Sequence, residues 1–115
     1  MKIGIIGESL GNGHPYSWSA IINGFDTNLL LEVPFPAIKE YLSKIDSKKV
    51  LSKKFKITKI YCQNTRYAEH VAKFSRIDEI CSSLENFTDK LDAVIIAKDD
   101  YQNHYNLISY LVDFK

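Results

Sequence analysis

Two short, unbroken apolar runs constrain this chain more than anything else in it: "KIGIIG" over residues 2–7 and "DAVIIAK" over residues 92–98. A short apolar run closed by glycine or charge reads as a strand buried on both faces, the pattern of parallel sheets. Parallel strands cannot be joined by a tight turn; each needs a long crossover, usually a helix. The intervening sequence supplies such crossovers. "PYSWSAIING" (15–24) reads as a helix with Pro15 in its first turn and Gly24 at its C-terminal cap. Pro36 opens a second helix running to about Ile45. "FKITKIYC" (55–62) alternates polar and apolar residues and predicts a strand. "TRYAEHVAKFSR" places Tyr67, Val71 and Phe74 at helical spacing, with Thr65 as its N-cap. A short strand is expected around Glu79–Cys81, then a short helix with Leu84, Phe87 and Leu91 on one face. A last helix, "YQNHYNLISYLVDF", takes Asp99 or Asp100 as its cap.

Strands alternating with helices predict one three-layer α/β domain. Its parallel sheet is doubly wound and Rossmann-like, with strand order 3-2-1-4. "NLLLEV" (28–33) is a possible extra strand, which Pro34 and Pro36 limit to a short one. In this order the run at 92–98 lies on an edge, and a bare apolar edge is a liability. The expectation is therefore a piece of a longer protein, or an edge covered by a second copy in a homodimer.

Bulk properties narrow the classes of function. The chain has 115 residues, with 15 basic and 14 acidic side chains and a formal net charge of +1. That balance implies no pull toward nucleic acid or an anionic membrane surface. The lysine-rich stretch 47–56 reads as a solvated loop. No apolar run approaches the length of a membrane span, and "MKIGIIGES" is too short for a signal peptide. Cys62 and Cys81 form no Cys-x-x-Cys pair and no zinc set, so buried reduced thiols in a cytoplasmic protein are expected.

The stretch "GESLGNGHP" after the first strand stands where dinucleotides bind. There glycines let a backbone approach a diphosphate, and the helix N-terminus offers N–H groups. The fingerprint G-x-G-x-x-G is not satisfied. Counting from Gly7, Ser9 holds the second glycine position and Asn12 the third, with Gly11 and Gly13 out of step. The ribose-binding acid expected after the second strand is also missing: Gln63 and Asn64 stand there, with Glu32 as the substitute if "NLLLEV" were that strand. After the run at 92–98, "AKDDYQNH" gathers Asp99, Asp100, Asn103 and His104 at the carboxyl end of the sheet, where ligands of open parallel sheets bind. His14 either faces a ligand or caps the loop.

Taken in order, "IGIIGESLGNGHPYSWSAIING", "PFPAIKEYL", "ITKIYCQNTRYAEHVAKFSRI" and "LDAVIIAKDDYQNHYNLISYLVDF" resemble the N-terminal nucleotide-binding domain of the Gfo/Idh/MocA oxidoreductases, over essentially the whole chain. The resemblance implies NAD or NADP as cofactor and, in a full-length protein, a sugar or cyclitol substrate held largely by a second α/β domain. A catalytic lysine of that family lies in a Glu-Lys-Pro motif beyond the last helix and has no counterpart here. By the same matching, Gly7, Ser9, Leu10, Gly11, Asn12, Gly13 and His14 form the phosphate loop. Asn64 lies near the adenine ribose, Ala97, Lys98 and Asp99 lie near the nicotinamide half, and His104 matches a recurring histidine at a helix start. The alternative is a non-catalytic binding domain that keeps the Rossmann fold and has lost the cofactor.

Overall fold

The computed structural model describes residues 1–9, 11–99 and 101–113; within the last helix, the side chains of residues 101–104, 112 and 113 lie outside the description. The strands are β1 (Lys2–Ile6), β2 (Lys56–Tyr61), β3 (Glu79–Cys81) and β4 (Ala93–Ile96). The helices are α1 (His14–Asn23), α2 (Pro36–Ser43), α3 (Thr65–Ser75) and α4 (Tyr101–Asp113). All pairings are parallel and the order is β3-β2-β1-β4, as the alternation predicted. The chain is thus a single α/β domain with a Rossmann-like sheet.

Side-chain parity in β1 divides the core. Ile3 and Ile5 belong to the cluster that α1 and α3 cover, with Tyr16, Ala20, Val71 and Phe74. Ile6 belongs to a second cluster on the opposite face, with Cys81, Phe87, Leu91 and the α4 residues Leu107 and Leu111. Simple alternation along β2 would put Ile57 and Ile60 on opposite faces. Both instead join the α1/α3 face, because the register with β1 slips between Ile3 and Gly4 (Ile3 opposite Ile57, Gly4 opposite Lys59). The slip leaves Thr58 as the extra residue of a bulge, which restores parity for both isoleucines.

Four local expectations are corrected. "NLLLE" is not a strand but a 3-10 helix over Thr27–Glu32, started by Asp26, whose side chain accepts the Asn28 N–H at 2.9 Å. Residues 82–91 form successive turns rather than a helix, although Leu84, Phe87 and Leu91 do share one cluster. Ser, Asn, Thr and Asp are weak helix formers, and Lys90 takes φ = 62°. The Lys59 ammonium holds the turns by donating to Asn86 O (3.2 Å) and Asp89 O (2.6 Å). The α3 cap is Asn64, not Thr65: Asn64 Oδ1 accepts the Tyr67 N–H at 3.2 Å. Finally, β4 is not buried on both faces. Ala93 is exposed and Val94–Ile96 are half-buried, because β1 is the strand paired with it among the described residues.

The cysteines are buried and unpaired. Burial pushes the Cys62 thiol up to about 12 and the Cys81 thiol up to about 11. The reactive species is the thiolate. Burial therefore keeps the Cys62 thiol protonated at pH 8. Labelling by an aromatic disulfide at pH 8 is expected to be slow in the native protein and to reach two thiols per chain on unfolding in urea. Fast native labelling of Cys62 would show that the strand end opens.

Candidate functional site

In an open parallel sheet the ligand crevice lies at the carboxyl ends of the strands, where neighbouring crossovers leave to opposite faces. Here that point is between β1 and β4. Backbone bonds carry both strands up to it: Gly7 N–H donates to Tyr61 O (3.1 Å) and Ala97 N–H to Ile6 O (2.7 Å).

Beyond the strands, three loops are stitched together. The turn after β1 closes with Asn12 N–H donating to Ser9 O at 3.1 Å, and Gly11 takes φ = 75° in it. That conformation favours glycine. Asp99, after β4, donates its N–H to Ser9 Oγ at 2.9 Å and accepts Asn12 Nδ2 on Oδ1 at 2.9 Å. On the other flank, Asn64 N–H donates to Glu8 Oε1 at 3.0 Å, so the β1 and β2 loops are joined by a carboxylate. Tyr67 OH donates to Asn12 O at 3.4 Å.

The structure therefore brings Ser9, Asn12 and Asp99 together, with Gly7 and Ala97 beneath them and Asn64 beside them through Glu8. Leu10 and the side chain of His104 lie outside the described residues, as does Asp100 as a cap for α4. Lys98 is half-buried and lines a cavity of about 240 Å³ on the α4 side, with Gln63, Tyr61 and Tyr110. The His14 side chain does not cap the loop; its ring stacks on Trp18, 4.3 Å between centroids and 6° from parallel. Glu32 is not at a strand end. It stands 3.7 Å from His70 Nε2, whose other ring nitrogen lies 2.6 Å from Tyr16 OH.

The glycines serve packing as much as any ligand. A Cβ on Gly7 would stand 2.5 Å from Pro15 Cγ, and one on Gly13 would stand 2.2 Å from Ile38 Cδ1 and 2.8 Å from the Phe35 ring. These two positions let α1 approach β1 and α2 approach α1. Gly11 differs: among the described residues beyond its chain neighbours, nothing lies within 4 Å of where its Cβ would be, so that side of the turn is open to them. Alongside, a groove of about 550 Å³ lies between α1 and α2, lined by Trp18, Phe35, Ile38 and Tyr41 and also by Asp99.

These groups fit a dinucleotide unevenly. Glu8 and Asn64 offer hydroxyl-binding groups beside the β2 end, and the open face of Gly11 offers backbone. The start of α1 does not fit a diphosphate in the common manner. His14 N–H is already bonded to Asn12 Oδ1 at 2.9 Å, Pro15 has no N–H, and the Tyr16 and Ser17 N–H groups go to Gly13 O.

Tyr16 and Tyr67 are not bases at neutral pH: burial raises Tyr16 to about 12 and pushes the Tyr67 phenol up as well. Among the described residues no His, Cys, Asp and Glu cluster to hold a metal ion, and no helix is long and apolar enough to cross a membrane.

Sequence reasoning missed Glu8 and Tyr67. A signal for Glu8 was present, since it is the first side chain beyond the β1 glycine. Tyr67 carried none, because its spacing assigned it to the helix core. No family model matches the chain, and neither a curated protein nor a solved structure does.

Proposed function

We propose that this chain is the nicotinamide-cofactor-binding domain of a sugar or cyclitol oxidoreductase of the Gfo/Idh/MocA type, with hydride transfer completed by a second domain. The observation that carries the reading is the convergence of three strand-end loops at the β1/β4 divergence, joined by Ser9, Asn12 and Asp99. Glu8 and Asn64 would hold the adenine ribose, the Gly11 face of the turn the diphosphate, and Ala97–Asp99 the nicotinamide half. The cofactor supplies hydride chemistry, and the chain orients it.

Trp18 is the sole tryptophan and lies one turn behind His14, so its fluorescence reports on the loop. Titration with NADH is expected to give a saturable change. Gly11→Asp should weaken binding at least tenfold, since aspartate tolerates the left-handed backbone and brings its charge to the open face. Absence of any saturable change at millimolar NADH, in this chain and in a full-length protein, would refute the reading.

Glu8 also predicts the cofactor's preference. Its carboxylate repels a 2′-phosphate and accepts from a free ribose hydroxyl. NADH should bind about tenfold more tightly than NADPH, a difference of about 1.4 kcal/mol. Glu8→Gln should remove most of that ratio; equal affinities in the wild type would deny Glu8 this role.

A second reading, a binding domain that keeps the fold without the cofactor, is favoured by one observation: the first amides of α1 are spent internally. The same NADH titration decides between the two.

A further inference from the structure

Asn12 occupies the third position of the glycine fingerprint, and its side chain takes the part that a phosphate oxygen plays at a helix start. It is 4% exposed, and its bonds are distributed over four segments. Oδ1 accepts the His14 N–H at the start of α1 (2.9 Å), and Nδ2 donates to Asp99 after β4 (2.9 Å). Its N–H goes to Ser9 O (3.1 Å), and its carbonyl accepts Tyr67 OH from α3 (3.4 Å). A glycine here would keep the two backbone bonds and release His14 N–H, so the side chain alone closes that donor.

We infer that Asn12 is a built-in substitute for an anion at the start of α1, and that it sets the crevice's selectivity by denying the helix end to a ligand's diphosphate. A ligand is then gripped at its ends, beside Glu8 and Asn64 and beside Asp99, while its charged middle lies on the Gly11 side of the turn. The neutral amide leaves the positive pole of α1 only partly compensated. Vacating it restores a site that attracts anions. The inference rests on the crevice being the ligand site proposed above. It deepens that reading by naming the residue that limits affinity for diphosphates.

The test uses inorganic pyrophosphate and NADH as separate probes on the wild type and Asn12→Gly, with Trp18 fluorescence and the His14 amide resonance as readouts. The expected result is that pyrophosphate leaves the wild-type His14 amide unmoved at millimolar concentration. In Asn12→Gly it shifts that amide saturably, and NADH binds at least tenfold more tightly than in the wild type. If Asn12→Gly gains pyrophosphate but neither protein binds NADH, the inference stands and the nicotinamide reading falls. If the wild type binds NADH and a folded Asn12→Gly gains nothing, the inference falls and the reading stands. If Asn12→Gly does not fold, the wild type alone decides. In the wild type, whose His14 N–H is closed by Asn12 Oδ1, an amide that moves on adding either probe, as a newly bonded N–H does, overturns the inference, and one that stays put supports it.

Discussion

Asn23→Ala is expected to cost about 3–6 kcal/mol, a large share of the roughly 5–15 kcal/mol that holds a domain of this size together. Asn23 is the last residue of α1 and is 7% exposed. Its Nδ2 donates to Ile57 O and to Ser75 O, both at 2.9 Å, and its Oδ1 accepts the Ile57 N–H at 2.9 Å. One amide thus satisfies three backbone groups from β2 and α3. The β2–β3 ladder runs only from Lys59 to Tyr61, so Asn23 replaces a strand partner at Ile57. Alanine leaves all three groups buried and unpaired, at about 1–2 kcal/mol each, the lower part of the usual range for a neutral group. Its better helix propensity returns well under 1 kcal/mol. Asn23→Asp should be no milder, because it loses both donor bonds and buries a charge. Urea unfolding followed by circular dichroism checks this through the midpoint at constant slope. A loss below about 1 kcal/mol would mean that water replaces the amide.

The contrast between Asn23 and Asn12 shows which parts of this molecule are legible in sequence. Strand order followed from local signals: apolar runs, Pro15 and Pro36 at helix starts, and Gly24 ending α1 with φ = 80°. Each signal acts within a few residues of itself. The misread elements had a local pattern that two structures satisfy. Leu84, Phe87 and Leu91 meet on one side whether the chain is helical or turns around the Lys59 ammonium, and the ammonium's position depends on the β2 bulge. The leucines of residues 29–31 suit a strand by composition, but the Asp26 cap starts a 3-10 helix before them.

At the crevice the decisive bonds are non-local. Asn12 meets Asp99 across 87 residues, and Glu8 meets Asn64 across 56. A glycine count along residues 7–13 registers Asn12 as a defect in a motif. It cannot show that the side chain is bonded through both its oxygen and its nitrogen in the glycine's place. Gly7, Gly11 and Gly13 looked alike in sequence, yet two are required by neighbouring side chains and one by its own backbone angle.

Phe87→Ala should cost about 3–5 kcal/mol, toward the top of that range. The ring is fully buried in the cluster of Ile6, Cys81, Leu91 and Leu107, on the face of the sheet opposite α1. It reaches the middle of β1 at Gly4, where a Cβ would stand 2.5 Å from Phe87 Cζ and 2.5 Å from Leu91 Cδ1. A cavity left there has backbone on one side, because Gly4 has no side chain to swing into it, so collapse is limited and the full cavity cost remains. The same contact makes a sharper test than the single variant. Gly4→Ala in the wild type should cost about 1–3 kcal/mol by overpacking. In the Phe87→Ala background the new methyl enters vacated space, with only the flexible end of Leu91 to move, and should be neutral or stabilising. The coupling energy of the cycle is then about 1–3 kcal/mol and favourable. Additive losses would mean that Phe87 does not lie against Gly4. Since Ile6 in this cluster accepts the Ala97 N–H and leads into Gly7, the loss should also loosen the Ser9–Asp99 contact. The Asp99 amide, protected by Ser9 Oγ, should exchange faster in Phe87→Ala even under conditions where the variant remains folded.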